Sequence, residues 1–132
     1  TTESLPTTPD AVMEAQTVLD LQELVRRVAV PEHVTARAVA LIRSTRPEDP
    51  RAPELVRRCV AWGAGPRASR ALVLVAKARA ILKGRSHVHA DDIDVVLGSV
   101  LRHRVLLNFE GEAEQIQTDS IIEAILKDTK TA

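Results

Sequence analysis

Apolar residues recur at intervals of three and four along most of this chain, the spacing of helices that bury one face. Prolines and glycines interrupt the pattern at points where one helix would end and the next would begin. No stretch alternates apolar and polar residues long enough to predict a sustained strand, and no internal repeat is visible. The pattern therefore predicts an all-α fold, a compact bundle of five or six helices joined by short links.

The first three predicted helices begin at local signals. Thr17 is a candidate N-cap for the first helix, with Asp20 at the position of a capping box. Pro31 starts the second helix, and a short third helix is predicted from Pro53 to about Trp62. The first two helices each carry apolar residues on one face: Val18, Leu21, Val25 and Val28, then Val34, Ala38, Leu41 and Ile42.

The longest helix is predicted from Pro66 to Lys83, with Gly84 as its C-terminal stop. Because this segment is apolar nearly all round, it is expected to be the central helix of the bundle. A fifth helix opens at Ala90, followed by two acidic residues that suit the helix dipole. Its apolar positions keep one helical face: Ile93, Val96, Leu97, Val100 and Leu101.

The end of the chain combines an extended segment with a last helix. Residues 105–109 are predicted to be extended, with Phe109 packed back on the core. Thr118 and Asp119 start the last helix, whose apolar residues are Ile121, Ile122, Ile125 and Leu126.

Composition narrows the class of protein. The 132 residues suit one domain, and 18 basic residues balance 18 acidic ones, so no overall field attracts nucleic acid or an anionic membrane. Cys59 is the single cysteine, and a packed thiol in a reducing cytoplasm is expected. No secretory signal is visible, and the longest purely apolar run, Ala71 to Ala76, is too short to span a bilayer.

The candidate chemistry lies in the segment from Gly63 to Ser69. Pro66 is suited to the first turn of a helix, where its missing N–H costs nothing. Arg67 then sits beside a helix start, where backbone N–H groups and the dipole already favour an anion. Its planar guanidinium can hold a phosphate, although a solvated arginine at a helix entry explains the same local pattern.

The other motifs give weaker evidence of function. No phosphate-binding loop is present, and residues 83–86 lack its spacing, so the chain alone does not qualify as a nucleotide hydrolase. His87 and His89 do not match a common zinc spacing, so no metal site is predicted, and His89 is a candidate N-cap. The basic cluster Arg102–Arg104 is either a solvated helix end or a contact for phosphate or an acidic partner.

Three strings together carry a resemblance to a known family. They are Leu21–Pro31 (LQELVRRVAVP), Trp62–Ser69 (WGAGPRAS), and the pair Val88–Ile93 (VHADDI) with Val100–Phe109 (VLRHRVLLNF). In this order and spacing they resemble the C-terminal lid of MoxR-type AAA+ ATPases. The resemblance extends over about residues 12–126, nearly the whole chain.

The resemblance implies roles for particular residues. Arg67 matches the sensor 2 arginine, which reaches the γ-phosphate of ATP bound in the preceding core. The implied phosphate side comprises Gly63, Gly65, Pro66 and Arg67, with Arg70, Arg102 and Arg104 as secondary contacts. The family's turn usually has serine where Gly65 stands, which is expected to loosen the turn, and His89-Ala90 replaces the usual Thr-Pro.

The same resemblance implies an organisation and partners. Residues 1–15 are expected to be a linker from a missing AAA+ core, and residues 16–132 the helical lid. ATP and Mg²⁺ would bind in the full-length parent and not tightly to this fragment. The implied partners are the core itself, neighbouring subunits of a hexameric ring and a von Willebrand factor A domain protein, in the cytoplasm, without nucleic acid or a membrane span.

Two other interpretations fit the residues. The first is a stand-alone helical protein-interaction domain, whose last helix docks on a partner through Ile121, Ile122, Ile125 and Leu126. The second is the lid of another AAA+ branch, such as a chelatase subunit or a DNA-remodelling ATPase. A Walker motif encoded upstream would favour a lid over an interaction domain.

Overall fold

The computed structural model of the protein describes residues 9–131, with the side chains of residues 130 and 131 left aside. This range holds seven helices and one two-stranded antiparallel sheet, which confirms the all-α class with one helix more than expected. The elements are α1 (Ala15–Arg27), α2 (Glu32–Arg43), α3 (Glu54–Cys59), β1 (Val60–Trp62), α4 (Pro66–Leu82), α5 (Ala90–Leu101), β2 (Leu106–Leu107), α6 (Phe109–Ala113) and α7 (Thr118–Thr131).

Helix α4 lies at the centre of the packing, in contact with α1, α2 and α5. Its buried residues form one narrow stripe at intervals of four: Ala68, Leu72, Ala76 and Ala80. The expected central position of α4 is confirmed, although its apolar residues are not all covered: Leu74 is 52% exposed and Val75 40% exposed. The helix therefore has an uncovered apolar side within the described part of the chain.

The rest of the core is aliphatic and comes from the helices predicted to supply it. All five apolar residues predicted for α5 are buried, and so are Val34, Ala38, Leu41 and Ile42 of α2. On α7, Ile121, Ile122 and Ile125 are buried in this core. The same side chains are therefore not available for docking on a partner, contrary to the interaction-domain interpretation.

Helix α1 differs from its prediction in two ways. It begins at Ala15 with Glu14 at the N-cap, so Thr17 lies inside the helix and does not cap it. None of its residues is buried: Val18 and Leu21 are both more than 40% exposed, and Val28, which is buried, follows the helix. Residues 9–14 are exposed and precede the helix, and the remainder of the expected linker lies outside the described residues.

The small sheet replaces the end of the predicted third helix, which stops at Cys59. Val60 pairs with Leu107 and Trp62 with Leu106, with an irregularity in register between the two pairs. The extended segment before Phe109 is thus confirmed, but its packing is not, because Phe109 is 88% exposed. It is the first residue of α6, where it turns outward.

Helix α6 was not predicted, and its local chemistry explains both its existence and the position of Phe109. Asn108 is the N-cap, and its Oδ1 accepts a hydrogen bond from the N–H of Gly111 at 2.9 Å. Gly111 faces the core so closely that an added Cβ would lie 2.7 Å from the carbonyl oxygen of Cys59. Phe109, two positions earlier, lies on the opposite side of the helix.

No helix in the described range combines the length and apolar character that crossing a membrane requires.

Candidate functional site

The turn between β1 and α4 is clamped to the end of α2. The N–H of Ala64 donates to Thr45 Oγ1 at 2.8 Å, and Arg46 Nε donates to the carbonyl oxygen of Ala64 at 3.3 Å. Gly63 approaches the same place, since an added Cβ would lie 2.4 Å from the carbonyl oxygen of Thr45. The turn before α4 is therefore held by two side-chain hydrogen bonds to Ala64 and by a close backbone approach at Gly63 that leaves no room for a Cβ.

Arg67 occupies the second position of α4, directly after Pro66 at the first. Gly65 is the N-cap, with an extended backbone at φ −85° and ψ 179°. The Arg67 side chain is exposed and has no hydrogen-bond or ion-pair partner among the side chains that the structure describes. Its guanidinium is thus free to meet an anion near the positive end of the helix dipole.

A groove of about 670 Å³ runs beside Arg67, between α4 and the pair α1 and α2. Its lining combines four cationic side chains with an apolar surface, and none of the described residues that line it is acidic. The cations are Arg26, Arg67, Arg70 and Lys77, and the apolar residues are Ala38, Val39, Ala71, Val73 and Leu74. Such a lining suits an anionic ligand that also has a flat or apolar part.

Arg70 and Lys77 extend the positive charge along α4. Arg70 lies three residues after Arg67, on the same side of the helix, and is also exposed without a partner among the described side chains. Lys77 Nζ donates to the carbonyl oxygen of Arg26 at 2.9 Å and so ties α4 to the end of α1. Arg70 is therefore placed to assist Arg67, while Lys77 already has a structural contact.

Arg102 and Arg104 do not line the groove. Arg102 pairs with Asp119 at 2.9 and 3.3 Å, which joins the end of α5 to the first turn of α7. Arg104 Nη1 donates to the carbonyl oxygen of Val100 at 2.6 Å. Both arginines thus have intramolecular partners, whereas Arg67 and Arg70 have none within the part of the chain that the structure describes.

The acidic start of α5 is a structural junction. His89 is the N-cap, as predicted, and its N–H donates to Asp92 Oδ2 at 2.9 Å. Asp92 is fully buried, which opposes its ionisation, but the hydrogen bonds from Arg85 and from the His89 backbone, with the charges of Arg85 and Arg79, outweigh burial and lower the pKa of Asp92. The Asp92 carboxylate therefore has a structural role, since it joins α4 to α5.

Three further residues of chemical interest have ordinary surroundings. His87 and His89 place their Nε2 atoms 3.0 Å apart on the surface, and no group of three His, Cys, Asp or Glu side chains in the described range could hold a metal ion. Cys59 is buried at the end of α3, which confirms the prediction of a packed thiol.

Thr45 and Arg46 were missed by the sequence analysis. They follow α2 in a loop, 19 and 18 residues respectively before Ala64, and no spacing in the chain relates them to the Gly63–Arg67 segment. Only the packing of α2 beside α4 brings them together.

Comparisons with known proteins find similarity to one family model and to proteins of known sequence. A family model described as the AAA lid domain matches residues 52–125. The chaperone MoxR1 of Mycobacterium tuberculosis (strain ATCC 25618 / H37Rv) is 30% identical over 116 residues, 88% of this chain and 31% of that protein. The uncharacterized protein YeaC of Bacillus subtilis (strain 168) is 29% identical over 123 residues, 93% of this chain and 36% of that protein.

A solved structure agrees with both sequence matches. The crystal structure of a candidate ATPase from Cytophaga hutchinsonii matches with a TM-score of 0.81 and 34% identity, over 86% of this chain and 34% of that one. The chain therefore spans about a third of the length of the relatives it matches. The family model covers more than half of the chain, and the predicted resemblance to MoxR-type proteins is confirmed. The chain thus belongs to the AAA lid domain family, in the form carried by MoxR-type AAA+ ATPases.

Proposed function

We propose that this lid acts on ATP bound in the core of its parent ATPase, with Arg67 as the sensor 2 residue. Arg67 would contact the γ-phosphate, and Gly63, Gly65 and Pro66 would shape the turn on the phosphate side. Movement of the lid would then couple the state of the nucleotide to motion of the ring during chaperone-like remodelling of partner proteins.

The observation that carries this proposal is the free guanidinium of Arg67 at the N-terminus of α4. Helix starts bind phosphate through their N–H groups and dipole, and arginine adds a planar fork of donors that matches phosphate oxygens. An exposed arginine with an acidic partner would have an internal role, as Arg102 has with Asp119. Arg67 has none among the described side chains, so its charge is left for a ligand.

The groove supports ATP as that ligand. Arg67 and Arg70 would face the phosphates, and the apolar residues of α2 and α4 would border the less polar part of the nucleotide. No acidic side chain among the described lining residues would repel the phosphate charge. Magnesium, when bound with ATP, neutralises phosphate charge, and its protein ligands would come from the core rather than from this lid.

Arg67 would contribute mainly when charge develops during phosphoryl transfer. A fixed guanidinium beside the γ-phosphate stabilises that charge electrostatically and lowers the barrier. The same contact exists only while the γ-phosphate is present, so hydrolysis would release the lid. The released lid would then change its contacts with neighbouring subunits, which form a ring of six by family resemblance. The client implied by the same resemblance is a von Willebrand factor A domain protein.

The test is steady-state ATP hydrolysis by the full-length parent with Arg67→Ala and Arg67→Lys. We expect kcat to fall about tenfold to a thousandfold in Arg67→Ala, with little rescue by lysine because an ammonium cannot reproduce the planar fork. The melting temperature should change little, because the side chain is exposed and has no hydrogen-bond or ion-pair partner among the described residues.

Arg57→Ala is the matched control, since Arg57 is also exposed on a helix but does not line the groove. It should hydrolyse ATP at the wild-type rate. Wild-type turnover in both Arg67 variants would refute the sensor assignment, and so would a loss that is fully explained by unfolding.

A further inference from the structure

We infer that Thr45 and Arg46, in the loop that follows α2, are positioning residues for Arg67. This inference rests on the proposed role of Arg67 and deepens it. Thr45 Oγ1 accepts the N–H of Ala64 at 2.8 Å and itself donates to the carbonyl oxygen of Ile42 at 2.6 Å. Arg46 Nε donates to the carbonyl oxygen of Ala64, so both backbone polar groups of Ala64 are held by the loop that follows α2.

The hydrogen bond between the Ala64 N–H and Thr45 Oγ1 is buried, so losing it would cost stability. Thr45 is 0% exposed and Ala64 is 1% exposed, so water has little access to replace the hydroxyl as the partner of the Ala64 N–H. The hydroxyl is oriented by its own bond to Ile42, which leaves its lone pair facing Ala64. Thr45 thus connects the α2 end to the turn through one ordered hydrogen bond.

The short path from Ala64 to Arg67 explains why this contact matters for the arginine. Gly65 has no atom within 4 Å of where its Cβ would lie, so packing does not hold it. Pro66 has a fixed φ, which leaves few free torsions between Ala64 and the arginine. Arg67 is therefore placed between two fixed points: Ala64, which Thr45 and Arg46 hold, and the buried Ala68 on the α4 stripe.

The test is ATP hydrolysis by the full-length parent carrying Thr45→Val, Thr45→Ser or Arg46→Gln, each in the wild-type and in the Arg67→Ala background. Valine keeps the shape of threonine and removes the hydroxyl, whereas serine keeps the hydroxyl. We expect Thr45→Val to lower kcat about tenfold with KM changed less than about threefold, because misplacement by a fraction of an ångström weakens a transition-state contact. Thr45→Ser should restore most of the rate.

The Arg67→Ala background separates positioning from general damage. If Thr45 acts through the arginine, Thr45→Val should cause no further loss once the arginine is gone. Ser44→Ala is the matched control, because Ser44 is a buried neighbour whose hydroxyl donates to the carbonyl oxygen of Ala40 at 3.0 Å and contacts no group of the turn among the described residues. The Ser44→Ala variant should hydrolyse ATP at the wild-type rate.

Each outcome decides the inference. An equal loss from Thr45→Val in both backgrounds, or wild-type turnover in a folded Thr45→Val, would overturn it while leaving Arg67 as sensor. Wild-type turnover in Arg67→Ala alone would refute the proposed function as well. If Thr45→Val does not fold, Arg46→Gln, at a partly exposed site, decides: a several-fold loss absent from the Arg67→Ala background supports positioning, and no loss overturns it.

Discussion

Arg85 and Asp92 form a two-point ion pair across the connection between α4 and α5. Arg85 Nη1 donates to Oδ2 at 2.8 Å and Nη2 to Oδ1 at 2.7 Å, while Arg79 Nε lies 3.3 Å from Oδ1. The carboxylate is buried, and both guanidiniums are about a quarter exposed. One acidic side chain therefore joins the end of α4, the following connector and the first turn of α5.

Replacing Asp92 by Asn should lower the free energy of unfolding at neutral pH by about 2–3 kcal/mol, because two arginines lose a buried counter-charge while keeping some access to water. The lowered pKa of Asp92 also fixes the sign of a pH effect. Its contribution is present above the unfolded pKa of about 3.9 and is lost as the pH falls through the lower folded value. Urea titrations between neutral and acidic pH measure both effects.

Asp91→Asn is the control for this prediction, because Asp91 is the exposed neighbour on the same helical turn. It should change stability far less than Asp92→Asn. The wild type should lose its advantage over Asp92→Asn as the pH falls below about 4. A stability difference that stays constant down to acid would contradict the role of the Asp92 charge.

The two glycines of the turn before α4 should respond oppositely to a side chain. Gly63→Ala places a Cβ 2.4 Å from the Thr45 carbonyl oxygen, so the backbone must shift, at a cost of about 1–3 kcal/mol. Gly65→Ser meets open space in an extended conformation and should raise stability by about 0.5–1 kcal/mol, through lower unfolded-state entropy. Thermal melts of the two variants distinguish them. Equal effects would show that the close approach is absent in solution.

Phe109 should contribute little to stability despite its size. It is 88% exposed, so Phe109→Ala removes few contacts and should change the free energy of unfolding by less than about 0.5 kcal/mol. Leu97→Ala, at a fully buried position on α5, should cost about 2–5 kcal/mol. Chemical denaturation of both variants compares them. A loss from Phe109→Ala that approaches that from Leu97→Ala would place the phenyl ring in the core.

The chain studied alone should give a helical circular dichroism spectrum, without measurable ATP turnover and with weak or undetectable ATP binding. Two unpaired arginines and a helix start offer only a few charge-assisted contacts, and the cost of association consumes most of their benefit. Calorimetric titration with Mg-ATP measures the affinity. A micromolar dissociation constant would mean that the lid holds much more of the nucleotide site than proposed.

The elements that could be predicted from sequence are those with strong local signals. Pro66 and Gly84 mark both ends of α4 to within about two residues, and His89 with its acidic neighbours marks the start of α5. The sheet and α6 could not be predicted, because the pairing of Val60 with Leu107 depends on how distant segments pack. Phe109 was misjudged for a related reason: hydrophobicity favours burial, but Gly111 takes the place against Cys59.

The candidate site, like the fold, could be predicted from the sequence only in part. The position of Arg67 at a helix start follows from Pro66, a property of neighbouring residues. The groove beside it and the clamp on Ala64 depend on α1 and α2, whose packing against α4 leaves no mark in the local sequence. A free arginine and a paired one, such as Arg102, look alike in the chain and differ only in what the fold brings near them.

The exposure of Trp62 makes this protein an unusual subject for fluorescence. The single tryptophan is 72% exposed and lies next to Gly63, while the hydrophobic core of the described residues consists of aliphatic side chains and one thiol. Its emission will therefore change little when the helices separate, and unfolding is better followed by backbone signals. The emission of the indole instead depends on the surroundings of the turn before α4. A core domain or a nucleotide that approaches this turn would therefore quench or shift the tryptophan emission, without any added dye.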